Sequence, residues 1–193
     1  DPPIASSQPI WNGEKDAIVM LVLERGLGDQ IHQIRYVRDL AKMGNQVIVC
    51  CNPMLAEVFR HVNGVTAIIQ TEVASGVMHD FWLPAMSAPI PLGYEFDDIK
   101  GTAYIPKPKV EPHSDGFRIG LRWQGFPGYE GQTQRLFPRE LLFDAVKGQN
   151  CISLQRDEGS EFCPDWVDEV PLDTWTNTAK AIASCNLVIT SCT

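Results

Sequence analysis

Apolar and polar positions alternate between two kinds of segment along the chain. Residues 17–23 form a continuous apolar run, short enough for a fully buried strand. Gly26 and Gly28 make a turn, and Asp29 stands where a helix would begin. Ile31, Ile34, Tyr36, Val37, Leu40 and Ala41 then recur at helical spacing, and Gly44-Asn45 ends that helix. Residues 46–51 read as a second strand. Residues 54–62, after Pro53, read as a short helix stopped by Asn63-Gly64. Residues 65–70 and 79–83 read as strands three and four. Residues 84–112 carry six prolines with little periodicity: Pro84, Pro89, Pro91, Pro106, Pro108 and Pro112. They read as an irregular edge followed by a connection.

The pattern then restarts. Residues 117–123 predict a strand, 138–147 a helix opened by a proline, and 151–155 and 166–170 two further strands. Residues 174–184 predict a helix with Trp175, Thr178, Ala179 and Ile182 on one face, and a last strand runs through Thr190. Strands alternating with helices and joined by short turns imply parallel sheets with right-handed crossovers. The expectation is an α/β protein of two Rossmann-like units. A polar, proline-bearing lead-in linker covers 1–16, the first domain 17–112 and the second 113–193. The final strand reads as central, and the chain stops soon after it, so the second unit is expected to be incomplete.

Composition narrows the function classes. Apolar residues at 44% and charged residues at 21% describe a globular chain rather than a disordered one. A formal net charge of −8 argues against sequence-independent nucleic-acid binding, which needs a basic face. It leaves room for a local basic pocket. No apolar run approaches the roughly 20 residues of a membrane span, and the first residues lack the pattern of a signal peptide. The six cysteines, at 50, 51, 151, 163, 185 and 192, form no CxxC pair and sit mostly in apolar runs. They read as free thiols in a reducing, cytoplasmic compartment. The histidines at 32, 61, 79 and 113 show no ligand spacing, so no metal or other cofactor is expected.

Three segments could carry chemistry. In Gly26-Leu27-Gly28-Asp29-Gln30-Ile31 a glycine-rich turn precedes a helix and would let a ligand approach the backbone. A dinucleotide fingerprint needs a third glycine where Ile31 stands, and no Walker lysine follows, so hydride transfer and NTP hydrolysis are disfavoured. Asp29 reads either as a simple helix cap or as a carboxylate at the sheet edge able to take a proton from a hydroxyl. The second segment is Gly120-Leu121-Arg122-Trp123-Gln124-Gly125, with Arg135 just before the following helix. That arginine is either a phosphate ligand or a solvated surface residue. The third is Asn186-Leu187-Val188-Ile189-Thr190-Ser191-Cys192-Thr193, which is either a turn for a diphosphate or a mere strand end.

Taken in order with Trp11-Asn12-Gly13 and Ser153-Leu154-Gln155, these segments resemble one family over nearly the whole chain. It is the glycosyltransferase domain that follows tetratricopeptide repeats in many bacterial proteins, similar to the family 9 heptosyltransferases with their two-domain GT-B fold. The run from Gly26 to Tyr36 is the most specific part. The resemblance implies transfer of a sugar from a nucleotide-sugar, as co-substrate, to a hydroxyl of an acceptor glycan or protein, by inverting displacement. It implies Asp29 as the general base, Gly26, Gly28, Gln30 and His32 around the acceptor, and Trp123, Gln124, Gly125, Arg135 and Thr193 around the donor. It also implies no metal, and attached repeats as a possible partner in the whole protein. Cys192 stands where the family carries an aspartate, and a thiol cannot replace a carboxylate as a strong acceptor for sugar hydroxyls. The competing expectation is therefore a non-catalytic binding or scaffolding module of the same fold.

Overall fold

The computed structural model describes residues 4, 6–99, 101–111, 116–125, 137–156 and 158–191. The chain divides into two compact units, Asp1–Pro106 and Lys107–Thr193, a few residues before the expected boundary at 112/113.

In the first unit the strands are β1 (Ile18–Val22), β2 (Gln46–Cys50), β3 (Val65–Ile69) and β4 (Phe81–Pro84). They form one parallel sheet in the order β3-β2-β1-β4. Val19 lies opposite Val47 on one side and Phe81 on the other, so β1 is central. That explains its unbroken apolar run: a parallel strand covered on both faces has no polar side. The helical stretch expected after Gly28 is two helices, α1 (Leu27–Gln33) and α2 (Tyr36–Lys42), with a break at Ile34–Arg35. Ile34, Val37 and Leu40 are fully buried against the sheet, so the apolar spacing continues through the break. Gly44 takes φ +86, and a Cβ there would collide with the Asp16 carboxylate, which makes it the stop the sequence indicates. The helix expected over 54–62 is shorter: a 3-10 turn at Pro53–Leu55 leads into α3 (Ala56–Phe59).

The lead-in is not a loose strap. Trp11 is 1% exposed, its N–H donates to the Trp82 carbonyl at 2.9 Å, and its indole donates to the Glu14 carbonyl at 2.8 Å. Ile4 packs with Met20, Val22 and Trp82. Burial of these large side chains fastens a segment that its polar, proline-bearing composition marks as a linker.

The second unit repeats the plan. β5 (Arg118–Arg122), β6 (Asn150–Ser153), β7 (Asp168–Glu169) and β8 (Leu187–Thr190) form a parallel sheet in the order β7-β6-β5-β8. Counted within each unit, both sheets share the order 3-2-1-4. The helices are α4 (Arg139–Val146) and α5 (Trp175–Ala183). Thr174 caps α5 by accepting the Asn177 N–H at 3.0 Å. The covered face of α5 is carried by Thr178 and Ala181, while Ile182 is 46% exposed, so the expected apolar face is rotated. Ala181 packs with Ile152, Leu154 and Cys185. Among the described residues β8 pairs with β5 alone, and its Leu187 and Val188 are exposed. β7 is short because only Asp168 and Glu169 pair with β6. No helix among the described residues is long and apolar enough to cross a membrane.

Candidate functional site

A sheet of order 3-2-1-4 reverses its direction of growth between its first and fourth strands. Ligands of open α/β sheets bind outside the carboxyl ends of the strands at that reversal. In the first unit the reversal lies between β1 and β4, and the glycine turn leaves β1 there. Leu23 extends the ladder by donating to the Cys50 carbonyl at 2.9 Å. Gln33, 6% exposed, then accepts the Glu24 N–H at 2.8 Å and donates to the Glu24 carbonyl at 3.3 Å. The Glu24 carboxylate crosses to the loop after β4, where it accepts the Met86 N–H at 2.9 Å. Arg25 sits at φ +68, a left-handed conformation that a side chain disfavours by roughly 1–2 kcal/mol. Its carbonyl accepts from Gln30 Nε2 at 3.2 Å, and Gln30 Oε1 takes the Asn52 N–H at 2.9 Å. Two buried amides on α1 thus satisfy the backbone of a loop that no strand pairs.

Gly26 caps α1, and Asp29, at the third helical position, turns its Oδ2 back to accept the Gly26 N–H at 3.0 Å. Asp29 is a capping residue from within the first turn rather than the residue before it. Gly26, Gly28, Asp29 and His32 are exposed, and Asp29 and His32 share a helix face at i, i+3. A Cβ on Gly28 would meet nothing within 4 Å. Gln30, expected to face an acceptor, is 7% exposed and spends its amide on Arg25 and Asn52, so it supports the turn from behind. Cys51, at the same sheet edge, is no nucleophile: burial, with Cys50 beside it, pushes its thiol up to about 12.

In the second unit the reversal lies between β5 and β8. Trp123 is 1% exposed, its indole donates to the Gly159 carbonyl at 2.9 Å, and its ring meets Phe143 edge-on at 5.2 Å. It is a core residue, and the donor role expected of its side chain is not open to it. Gln155, 5% exposed, is the hub of this edge. Its Oε1 accepts the N–H groups of Trp123 and Gln124 at 3.2 and 3.0 Å. Its Nε2 donates to the carbonyls of Gln124 and Glu158 at 3.0 and 2.9 Å. Gln124 is half-buried and Gly125 buried beside it. At the end of β8 the Ser191 N–H donates to the Arg122 carbonyl at 2.9 Å. The Ser191 hydroxyl is buried with no hydrogen-bond partner among the described residues. Arg135, Cys192 and Thr193 lie outside the described residues.

Reading residue types alone misses Glu24, Gln33 and the full role of Gln155. The available signal was Gln30 and Gln33 one turn apart, beside Ile34 and Val37 on a helix that must cover a sheet. Amides at such positions are buried, and buried amides find backbone partners. Among the described residues no group of three or more His, Cys, Asp or Glu side chains could hold a metal ion. Comparison with protein-family models, with curated proteins and with solved structures found no match to this chain.

Proposed function

We propose that the protein is a GT-B-type glycosyltransferase that moves a sugar from a nucleotide-sugar to an acceptor hydroxyl with inversion. The observation that carries the reading is the turn Gly26–Asp29: an exposed carboxylate and two exposed glycines at the strand-order reversal of the first sheet. Open backbone at a helix start admits a polar acceptor closely, and the strained Arg25 is held in place by Gln30. One Asp29 oxygen holds the cap, and the other is the base that takes the proton of the attacking hydroxyl. The acceptor hydroxyl oxygen attacks the anomeric carbon as the bond to the nucleoside diphosphate breaks. The electron pair leaves with the diphosphate.

On this reading the donor occupies the reversal of the second sheet. The Gln124-Gly125 backbone, fixed by Gln155, and the unsatisfied Ser191 hydroxyl support that assignment. Arg135 and Thr193 would complete the grip on the diphosphate. Trp123 contributes by packing the loop rather than by touching the donor. Action in a reducing, cytoplasmic compartment is part of the proposal, and the five free cysteines among the described residues support it.

Asp29 also has a purely structural use as a cap, which favours a second reading: the fold kept as a binding module. Titration of the protein with nucleoside diphosphates, followed by a search for transfer from nucleoside-diphosphate sugars, separates the two. Saturable diphosphate binding with transfer supports the enzyme, binding without transfer supports the module, and no diphosphate binding removes the donor assignment.

A further inference from the structure

A cavity of about 380 Å³ lies in the first unit between α2 and the segment 92–104, and no residue of the Gly26–Asp29 turn lines it. Three cations line it: Arg35, the residue that precedes α2, and Arg38 and Lys42 on α2, at i, i+3, i+7 spacing. Tyr94 and Tyr104 close it from the other side. The acids at the cavity are already engaged. Asp39 Oδ1 binds Lys42 Nζ at 2.7 Å, and its Oδ2 accepts from the Tyr94 hydroxyl. Asp98 accepts the Glu95 N–H at 2.8 Å. Three cations against the two carboxylates of Asp39 and Asp98 leave the cavity with a net positive charge for a ligand.

The guanidinium groups are placed rather than free-swinging. Arg35 lies over the Tyr104 ring at 4.8 Å, and its Nε donates to the His32 carbonyl at 3.0 Å. Arg38 forms an ion pair with Asp39, Nε to Oδ1 at 4.0 Å; its Nε is buried with no hydrogen-bond partner among the described residues, while the side chain as a whole is 38% exposed. The exposed remainder of that guanidinium lines the cavity, where an acceptor supplied from outside can reach it. Its planar fork suits a tetrahedral oxyanion with several acceptor oxygens better than a single carbonyl. A volume of this size accommodates a small phosphorylated molecule rather than a bare ion.

We propose that this cavity is a second ligand site, taking the phosphate group of a small phosphomonoester between Arg35 and Arg38, with Tyr94 and Tyr104 flanking the remainder of the molecule. The site is independent of the glycosyltransferase reading, since it shares no residue with either sheet edge. Calorimetric titration of the whole chain with inorganic phosphate, methyl phosphate and acetate tests it.

Saturable binding of both phosphates is expected, at least about 10-fold tighter than acetate. Arg38→Gln should weaken phosphate about 10-fold or more. Asp39→Asn, which removes the opposing charge and still accepts from Tyr94, should tighten it several-fold, a gain that a misfolded variant would not show. Absence of saturable phosphate binding overturns the proposal. So does equal affinity in Arg38→Gln, a loss in Asp39→Asn, or acetate binding as tightly as phosphate. Diphosphate binding at the second unit's sheet edge is unaffected by Arg38→Gln, so failure here is distinguishable from failure of the transferase reading.

Discussion

Gln33 clasps the backbone of Glu24 from both sides, accepting its N–H at 2.8 Å and donating to its carbonyl at 3.3 Å. This pairing sets where the glycine turn begins, because Glu24 is the last residue that the sheet edge holds before Arg25 turns left-handed. Replacing the amide with an apolar group of similar size leaves two backbone groups without partners. Gln33→Leu should therefore cost about 2–4 kcal/mol, measured by chemical denaturation, and should loosen protection of the 24–26 amides in hydrogen exchange.

Two glycines separate packing from function. Gly120 on β5 leaves no room: a Cβ there would stand 2.6 Å from Leu154 Cδ1 and 2.9 Å from Cys185 Sγ. Gly120→Ala should lower stability by about 1–3 kcal/mol in thermal unfolding. Gly28 has open space, lies inside α1, and as alanine should gain about 0.5–1 kcal/mol. If the turn admits an acceptor, that stabilised variant should nonetheless lose acceptor affinity, because the added methyl occupies the approach to the backbone.

The cysteines give the fold a pH signature. Burial, followed by the neighbouring Cys50, raises the Cys51 thiol from 9.0 to about 12, and burial also raises Cys50 and Cys151. A thiol raised in the folded state favours folding below the unfolded value. That contribution is fully present below pH 9.0 and is lost as pH climbs from there through about 12. Denaturation midpoints should hold steady between pH 7 and 8.5 and fall steeply above pH 9. At pH 8 Cys51 should resist a thiol reagent until the chain unfolds; fast labelling of the native protein would contradict its burial.

The alternation of apolar runs with helical spacing made the eight strands of the described residues and their main helices legible, because buried parallel strands and sheet-covering helices leave distinct periods. The break at Ile34–Arg35 was not legible, since the apolar spacing runs through it without change. The exposure of β8 was hidden for a similar reason: Leu187-Val188-Ile189 is as apolar as a central strand, yet among the described residues Leu187 and Val188 stay exposed. At the sites, exposed Gly26, Gly28 and Asp29 followed from turn chemistry. Gln30, Gln155 and Trp123 did not, because a polar tip on a buried side chain reads the same whether it faces a ligand or a loop backbone. Which it does is decided by tertiary partners such as Asn52 and Gly159.

The central claim rests on the chemistry of Asp29. Asn at this position can still accept the Gly26 N–H, so the cap and the fold survive while basicity is lost. The direct measurement is the rate of sugar transfer from a nucleoside-diphosphate sugar, with Asp29→Asn compared against the native chain at equal folded fraction. The account predicts a loss of roughly 10²–10⁴-fold in kcat with donor affinity retained. Transfer at an undiminished rate by Asp29→Asn would contradict it and leave Asp29 as a cap alone.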